Sequence, residues 1–158
     1  MTGHEVERGQ SLVEFALILP IFIVVLLGIF DGGRLVFAYN TVSNAAREGG
    51  REATVNQTAA DIRDRAAQHA VALDISPATV LVDYRNTASP DTANSCPFAV
   101  GDVRITSCLA VVRVPYAFNG ATPVISALVG PINLMGEVRF PVEFNCVDGG
   151  GIDCPLGQ

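Results

Sequence analysis

The chain has 158 residues, with ten basic against sixteen acidic side chains and a formal net charge of −6, and every basic residue is an arginine. An acidic balance without a basic stripe lacks the electrostatic footprint that tracks a phosphate backbone, so nucleic acid is not an expected partner. Once one apolar run is set aside, the remaining length builds one modest domain with a small core rather than a roomy enzyme cleft.

The apolar run comes first. From Phe15 to Phe30 there is no charged side chain, and Glu14 and Asp31 close the stretch on either side. As a helix it covers about 24 Å, and with Leu12, Val13 and Gly32-Gly33 it approaches the roughly 30 Å of bilayer hydrocarbon. A cleaved secretory signal wants a basic start and a small-x-small site behind a shorter run, which Asp31-Gly32-Gly33-Arg34 does not supply. A buried helix of a soluble protein would show a polar face, and this run has none. We therefore expect a single transmembrane helix over residues 10–33. Pro20 is expected to kink the helix about one turn in, which bilayer helices tolerate when neighbouring chains or side chains satisfy the freed carbonyl, so Pro20 and Gly28 are expected positions of helix packing. Arg8 precedes the run while Arg34, Arg47 and Arg51 follow it, so charge alone leaves the orientation open.

After Arg34, small and apolar residues recur three or four apart at Leu35, Ala38, Tyr39, Val42, Ala45, Ala46, Gly49 and Ala53, which continues the helix beyond the membrane with one packing face. Ala38, Val42, Ala45 and Gly49 let another backbone approach closely, most simply the protein's own sheet, with neighbouring subunits as the alternative. Gly49-Gly50 is expected to weaken and end this helix. Thr58, with Asp61 three residues on, predicts the cap of a second helix that runs to about Leu73 and buries Ile62, Ala66, Ala70 and Leu73. Ser76-Pro77 stops it. Val80, Val82 and Tyr84 then alternate with Leu81, Asp83 and Arg85 as a first strand. A second strand from about Arg104 to Phe118 sets Ala110, Val112, Val114, Tyr116 and Phe118 on one face, and Pro115 argues that part of it lies on an edge. In the last, Leu134, Val138, Phe140, Val142 and Phe144 oppose Glu137, Arg139 and Glu143, so one face of the sheet is wet and a helix covers the other. Asn86 to Asn94 and Asn119 to Pro131 read as exposed surface, the latter with a short helix after Thr122-Pro123. The expected fold class is α+β: a long N-terminal helix, half transmembrane and half exposed, a second helix, and a small antiparallel sheet of about three strands, pilin-like in outline. A head over residues 34–145 then precedes a flexible tail over 146–158.

Cys96, Cys108, Cys146 and Cys154 form an even set in the C-terminal part, which suggests two disulfides and hence an oxidising compartment. Spacing favours Cys96 with Cys108 and Cys146 with Cys154, among three possible connectivities. A four-Cys zinc site is the rival, but no C-x-x-C occurs and the spacings fit no usual ligand pair. The cysteines place the head outside the cytoplasm and the short N-terminus inside.

The residues around the apolar run also resemble a known family. Arg8-Gly9, four further residues, then Glu14-Phe15 ahead of an apolar run looks like the prepilin-peptidase site of type IV pilin-like proteins. The wider combination R-G-Q-S-L-V-E-F-A-L-I-L-P, G-I-F-D-G-G-R-L and S-N-A-A-R-E-G-G-R, from Arg8 to Arg51, resembles TadE-like minor pseudopilins of tight-adherence (Flp) pilus systems. The resemblance implies that residues 1–9 are a leader removed by prepilin peptidase between Gly9 and Gln10, leaving Glu14 as the fifth residue of the mature chain. Gly fits the position before the cut because a side chain there would obstruct the scissile bond, and Gly favours an extended substrate over a helix. Glu14 is then expected to pair with the new α-amino group of Gln10 on a neighbouring subunit, since a carboxylate at the bilayer edge is costly without a partner. As an isolated anchor it would gain only a few tenths of a kcal/mol from the helix dipole. Implied partners are the membrane, the peptidase, other pilin or pseudopilin subunits and the pilus assembly platform.

Little else carries chemistry. His4 lies on the implied leader and His69 stands alone in a helix, while Asp61, Asp64 and Asp74 alternate with Arg63 and Arg65 as a charged outer face. No catalytic residue, metal, cofactor or small-molecule substrate is expected, and the chain is not expected to be an enzyme. The reading is an inner-membrane, single-pass pseudopilin that takes part in assembling a pilus or related secretion filament; the alternative is a membrane-anchored extracellular binding module that keeps its N-terminus.

Overall fold

The computed structural model describes residues 4–56, 58–96 and 108–143. In chain order they form α1 (His4–Val55), α2 (Ala59–Gln68), two 3₁₀ turns (Val71–Leu73 and Pro77–Thr79), β1 (Leu81–Asn86), β2 (Cys108–Phe118), α3 (Pro123–Val129) and β3 (Ile132–Pro141). This is the expected α+β class, with a long N-terminal helix, a second helix and a three-stranded antiparallel sheet in the order β1-β2-β3. The chain divides into two compact units, Met1–Val36 with Phe118–Ile132, and Phe37–Ala117 with Asn133–Gln158.

In the second unit, α1 lays its small-residue face against the sheet and α2. Val42, Ala45, Ala46 and Ala53 are fully buried with Ile62, Ala66 and Ala70, β2 contributes Ala110, Val112 and Val114, and Val80 and Val142 join them from just outside β1 and β3. Tyr39, expected on the same face, is instead more than half exposed. The helix does not end at Gly49-Gly50 but runs on to Val55. A Cβ on Gly49 would lie 3.0 Å from the Ala66 Cβ, and one on Gly50 would lie 2.6 Å from side-chain atoms of Val138 and Phe140. These glycines serve close packing, and tertiary contact outweighs the roughly 1 kcal/mol per residue that glycine costs a helix.

The turn into α2 also differs from expectation. Thr58 occupies the N-cap position, but its side chain makes no capping bond. Asn56 braces the turn instead: its Oδ1 accepts from the Thr58 N–H at 2.8 Å, and its Nδ2 donates to Asp61 at 2.9 Å and Glu52 at 3.2 Å. One amide thus ties the last turn of α1 to the first of α2. α2 stops at Gln68, short of Leu73, because the backbone tightens to i→i+3 bonds at Ala70 and Leu73. The expected face survives the break: Ile62, Ala66 and Ala70 are buried and Leu73 packs against them.

β1 and β2 pair with Leu81 opposite Arg113 and Asn86 opposite Cys108. The Tyr84 carbonyl accepts from the Cys96 N–H rather than from β2, so the even residues of β1 turn their backbone groups outward and the odd residues bond to β2. By the same parity, the odd residues of β2 face β1. Pro115 is odd and lies two residues beyond Arg113, where β1 has ended. Its missing N–H therefore deprives no ladder, which is how a proline is accommodated in the central strand. The described part of this strand begins at Cys108; the expected start at Arg104 lies outside the described residues, as do Phe144, Cys146 and Cys154.

The second face of the sheet is polar and, as expected, exposed at Glu137 and Arg139, but it is closed over Arg85. Arg85 is 6 % exposed, donates through Nε to Asp83 at 2.7 Å, and reaches the Pro90 carbonyl at 3.0 Å. Asp83 also accepts from the Asn94 N–H at 2.7 Å, so the loop after β1 is drawn onto this face. Beside them Glu137 pairs with Arg113 and Arg139. Burial raises the Asp83 carboxyl, but Arg85 and the Asn94 N–H more than offset it and hold it below the usual carboxylate range. Glu137 is likewise raised by burial and brought below its ordinary value by Arg139 and Arg113. Groups depressed in the folded state stabilise it fully above their unfolded values, near about 4, and lose that contribution as pH falls through the lower folded values. The head should thus melt at progressively lower temperature below about pH 4. An Asp83→Asn, Glu137→Gln variant should show a flatter profile in detergent melts; an unchanged acid slope would contradict the assignment.

Cys96 and Cys108 form a disulfide, 12 residues apart with Cα atoms separated by 5.8 Å. Both are buried, and the bond fastens Cys96, ten residues beyond β1, to the first residue of β2.

Candidate functional site

The feature set apart by chemistry is the N-terminal half of α1. Leu12, Phe15, Leu17, Ile21, Phe22 and Ile29 are each at least 60 % exposed, in a stretch where exposed large hydrophobics follow one another turn after turn. Soluble monomers rarely leave such a surface to water, and its length and composition suffice to cross a membrane. Pro20 lies within this exposed part and Gly28 is half buried.

Gly9 and Gln10 belong to α1, which begins at His4. The local helix-breaking expected of Gly9 is absent, since one glycine costs only about 1 kcal/mol against propagation from both sides. Glu14 follows one turn after Gln10 and is exposed. Val42, Ala45 and Gly49 are buried against the sheet and second helix of the head rather than on an open face, and Ala38 is buried as well.

The other end of the run is organised by Asp31, which is 4 % exposed. Its carboxylate accepts three hydrogen bonds from residues about ninety positions away: from the Ala121 N–H at 3.1 Å, the Thr122 N–H at 3.3 Å and the Thr122 hydroxyl at 2.7 Å. Thr122 is the N-cap residue of α3, and Pro123 supplies the preset φ at the first helical position. Thr122 makes no side-chain bond to its own helix; its hydroxyl is directed to Asp31. Arg34, one turn on, lies 3.5 Å from Asp31 and stands over the Phe118 ring at 5.7 Å. Gly130, at φ 71°, then turns the chain from α3 into β3. From the sequence Asp31 is legible only as the charge that ends the apolar run. Its partner is a Thr-Pro helix start that nothing local connects to it.

These features define a class: a protein with one exposed apolar helix fit to anchor it in a membrane, carrying a small α+β head. Residues 9–51 match the family model described as TadE-like protein. This stretch is TadE-like; it takes in the apolar run, Asp31 and the buried small-residue face, and the sheet lies beyond it. No curated protein and no solved structure matches the chain.

Proposed function

We propose that the chain is a membrane-anchored minor pseudopilin that takes part in assembling a tight-adherence (Flp) type pilus or a related secretion filament. The observation that carries this reading is the TadE-like match over residues 9–51, which opens on the glycine of the proposed processing site and spans the exposed apolar helix. Prepilin peptidase removes residues 1–9, Gln10 becomes the N-terminus, residues 10–33 cross the inner membrane, and the head over 34–145 stands outside the cytoplasm ahead of the tail. The Cys96–Cys108 bond supports that orientation, because disulfides persist in oxidising compartments.

Two forces act in assembly. Lateral packing removes the apolar surface of α1 from lipid, and Glu14, exposed one turn beyond Gln10, pairs with the α-amine freed on a neighbouring subunit. The role is structural: other pilin subunits and the assembly platform are the partners.

Mass spectrometry of the chain purified from a host that carries a tight-adherence system tests this. The mature chain is expected to start at Gln10, and Glu14→Ala is expected to be trimmed normally yet recovered in filaments several-fold less. An intact N-terminus would favour a membrane-anchored binding module instead.

A further inference from the structure

From Val114 to Gly136 the chain carries no Asp, Glu or Arg, a longer charge-free stretch than the anchor's own. Most of it, Phe118–Ile132 with α3 at its centre, belongs to the same compact unit as the anchor. The first residue of α3 follows Thr122, and Thr122 is fastened to Asp31 by two hydrogen bonds. The level of α3 along α1 is thereby fixed. Leu12 to Asp31 spans about 28 Å of helix, close to the roughly 30 Å hydrocarbon thickness, so Asp31 marks its outer boundary. A seven-residue helix is only about 10 Å long, so all of α3 lies within that distance of this boundary whichever way it runs. At this depth Val129 is 60 % exposed, and Ile29, Phe30 and Val36 of the same unit are exposed to similar degrees.

An apolar, charge-free helix held at the edge of the hydrocarbon, with its exposed side chain continuous in character with the anchor's surface, has the requirements of an interfacial lipid contact. We infer that α3 and its flanking turns form a second membrane contact, resting in the outer interface of the bilayer beside the anchor, with acyl chains and headgroups as the occupant. The inference rests on the reading of α1 as a membrane span. The Asp31 carboxylate then serves a purpose at that depth: it is spent inside the protein, on two N–H groups and a hydroxyl, instead of facing lipid. Arg34, over the Phe118 ring and with a half-exposed side chain, is placed to reach phosphate at the same level.

The chain has no tryptophan, so single reporters are available. Val129→Trp, Phe22→Trp and Ala88→Trp variants of the full chain are reconstituted in phosphatidylcholine vesicles that carry a nitroxide either near the headgroup or near the chain terminus. Val129→Trp should lose most of its emission to the headgroup-level nitroxide and little to aqueous iodide. Phe22→Trp should respond to the deep nitroxide and Ala88→Trp to iodide alone. If Val129→Trp behaves like Ala88→Trp, or is shielded from lipid and iodide alike as under another protein copy, the inference is overturned while a deep Phe22→Trp leaves the anchor intact. Failure of Phe22→Trp to meet lipid would overturn both.

Discussion

Gly136→Ala should destabilise the head by about 2–3 kcal/mol, and Gly136→Val by more. Gly136 is buried on β3, where an added Cβ would lie 2.5 Å from the Val42 carbonyl oxygen, 2.9 Å from the Val42 carbonyl carbon and 3.0 Å from its Cγ1. Two of these three atoms are backbone within α1, so no rotamer change relieves the clash; helix and strand must separate. Separation loosens the contact on which Val42, Ala45 and Ala46 depend for their burial. The reduced backbone freedom of the unfolded alanine chain returns only about 0.4–1 kcal/mol. A head of this size should therefore melt roughly 10 °C lower. Thermal unfolding in detergent, followed by circular dichroism, reads the effect. Gly33→Ala is the control, since nothing lies within 4 Å of its added Cβ; equal melting of the two variants would refute the close-approach argument.

Loss of the Cys96–Cys108 disulfide is expected to cost about 3 kcal/mol, as for a loop of this length. The bond does more than close a loop. Cys108 opens β2 and pairs with Asn86 in register, while Cys96 follows the segment that supplies Asn94 to Asp83 and Ser95 to the Asn86 N–H at 2.8 Å. A Cys96→Ala, Cys108→Ala double variant should therefore lose stability and also expose the loop between Asn86 and Cys96 to protease before the rest of the head. The double variant is preferable to a reductant because it leaves Cys146 and Cys154 untouched. Unchanged melting and an unchanged cleavage pattern would show that the hydrogen bonds to Asp83, Tyr84, Arg85 and Asn86 hold the loop without the disulfide.

What could be read in advance followed from local pattern. The apolar run, the small-residue face of α1 and the alternation in β2 and β3 are written in spacings of two, three or four residues, and the structure keeps them. The misreadings arise where a residue answers to something distant. Gly49 and Gly50 resemble a helix end until Ala66, Val138 and Phe140 are placed over them. Thr58 has the spacing of a capping residue, but Asn56, two positions earlier, reaches both helices. Arg85 alternates as a solvent-facing strand residue, yet the loop that follows β1 supplies a carbonyl and a neighbour for its partner, and it is buried. Asp31 belongs with these, because its meaning lies in Thr122. The proposed processing site and the Glu14 contact belong to a different case: their partners are other proteins, and only the resemblance over residues 9–51 speaks for them.

The position of Pro115 bears on how copies of this chain can associate. Beyond Arg113 the β1-facing side of β2 is an open edge among the described residues, and an incoming strand there would find a pyrrolidine ring in place of a donor. On the outer side of β1, the Tyr84 carbonyl and the Asn86 N–H are already engaged by Cys96 and Ser95 of the same chain. On this flank part of the backbone that a neighbouring strand would pair with is already taken up within the chain. Two copies of the chain that meet along this flank are thus steered away from joining their sheets through it.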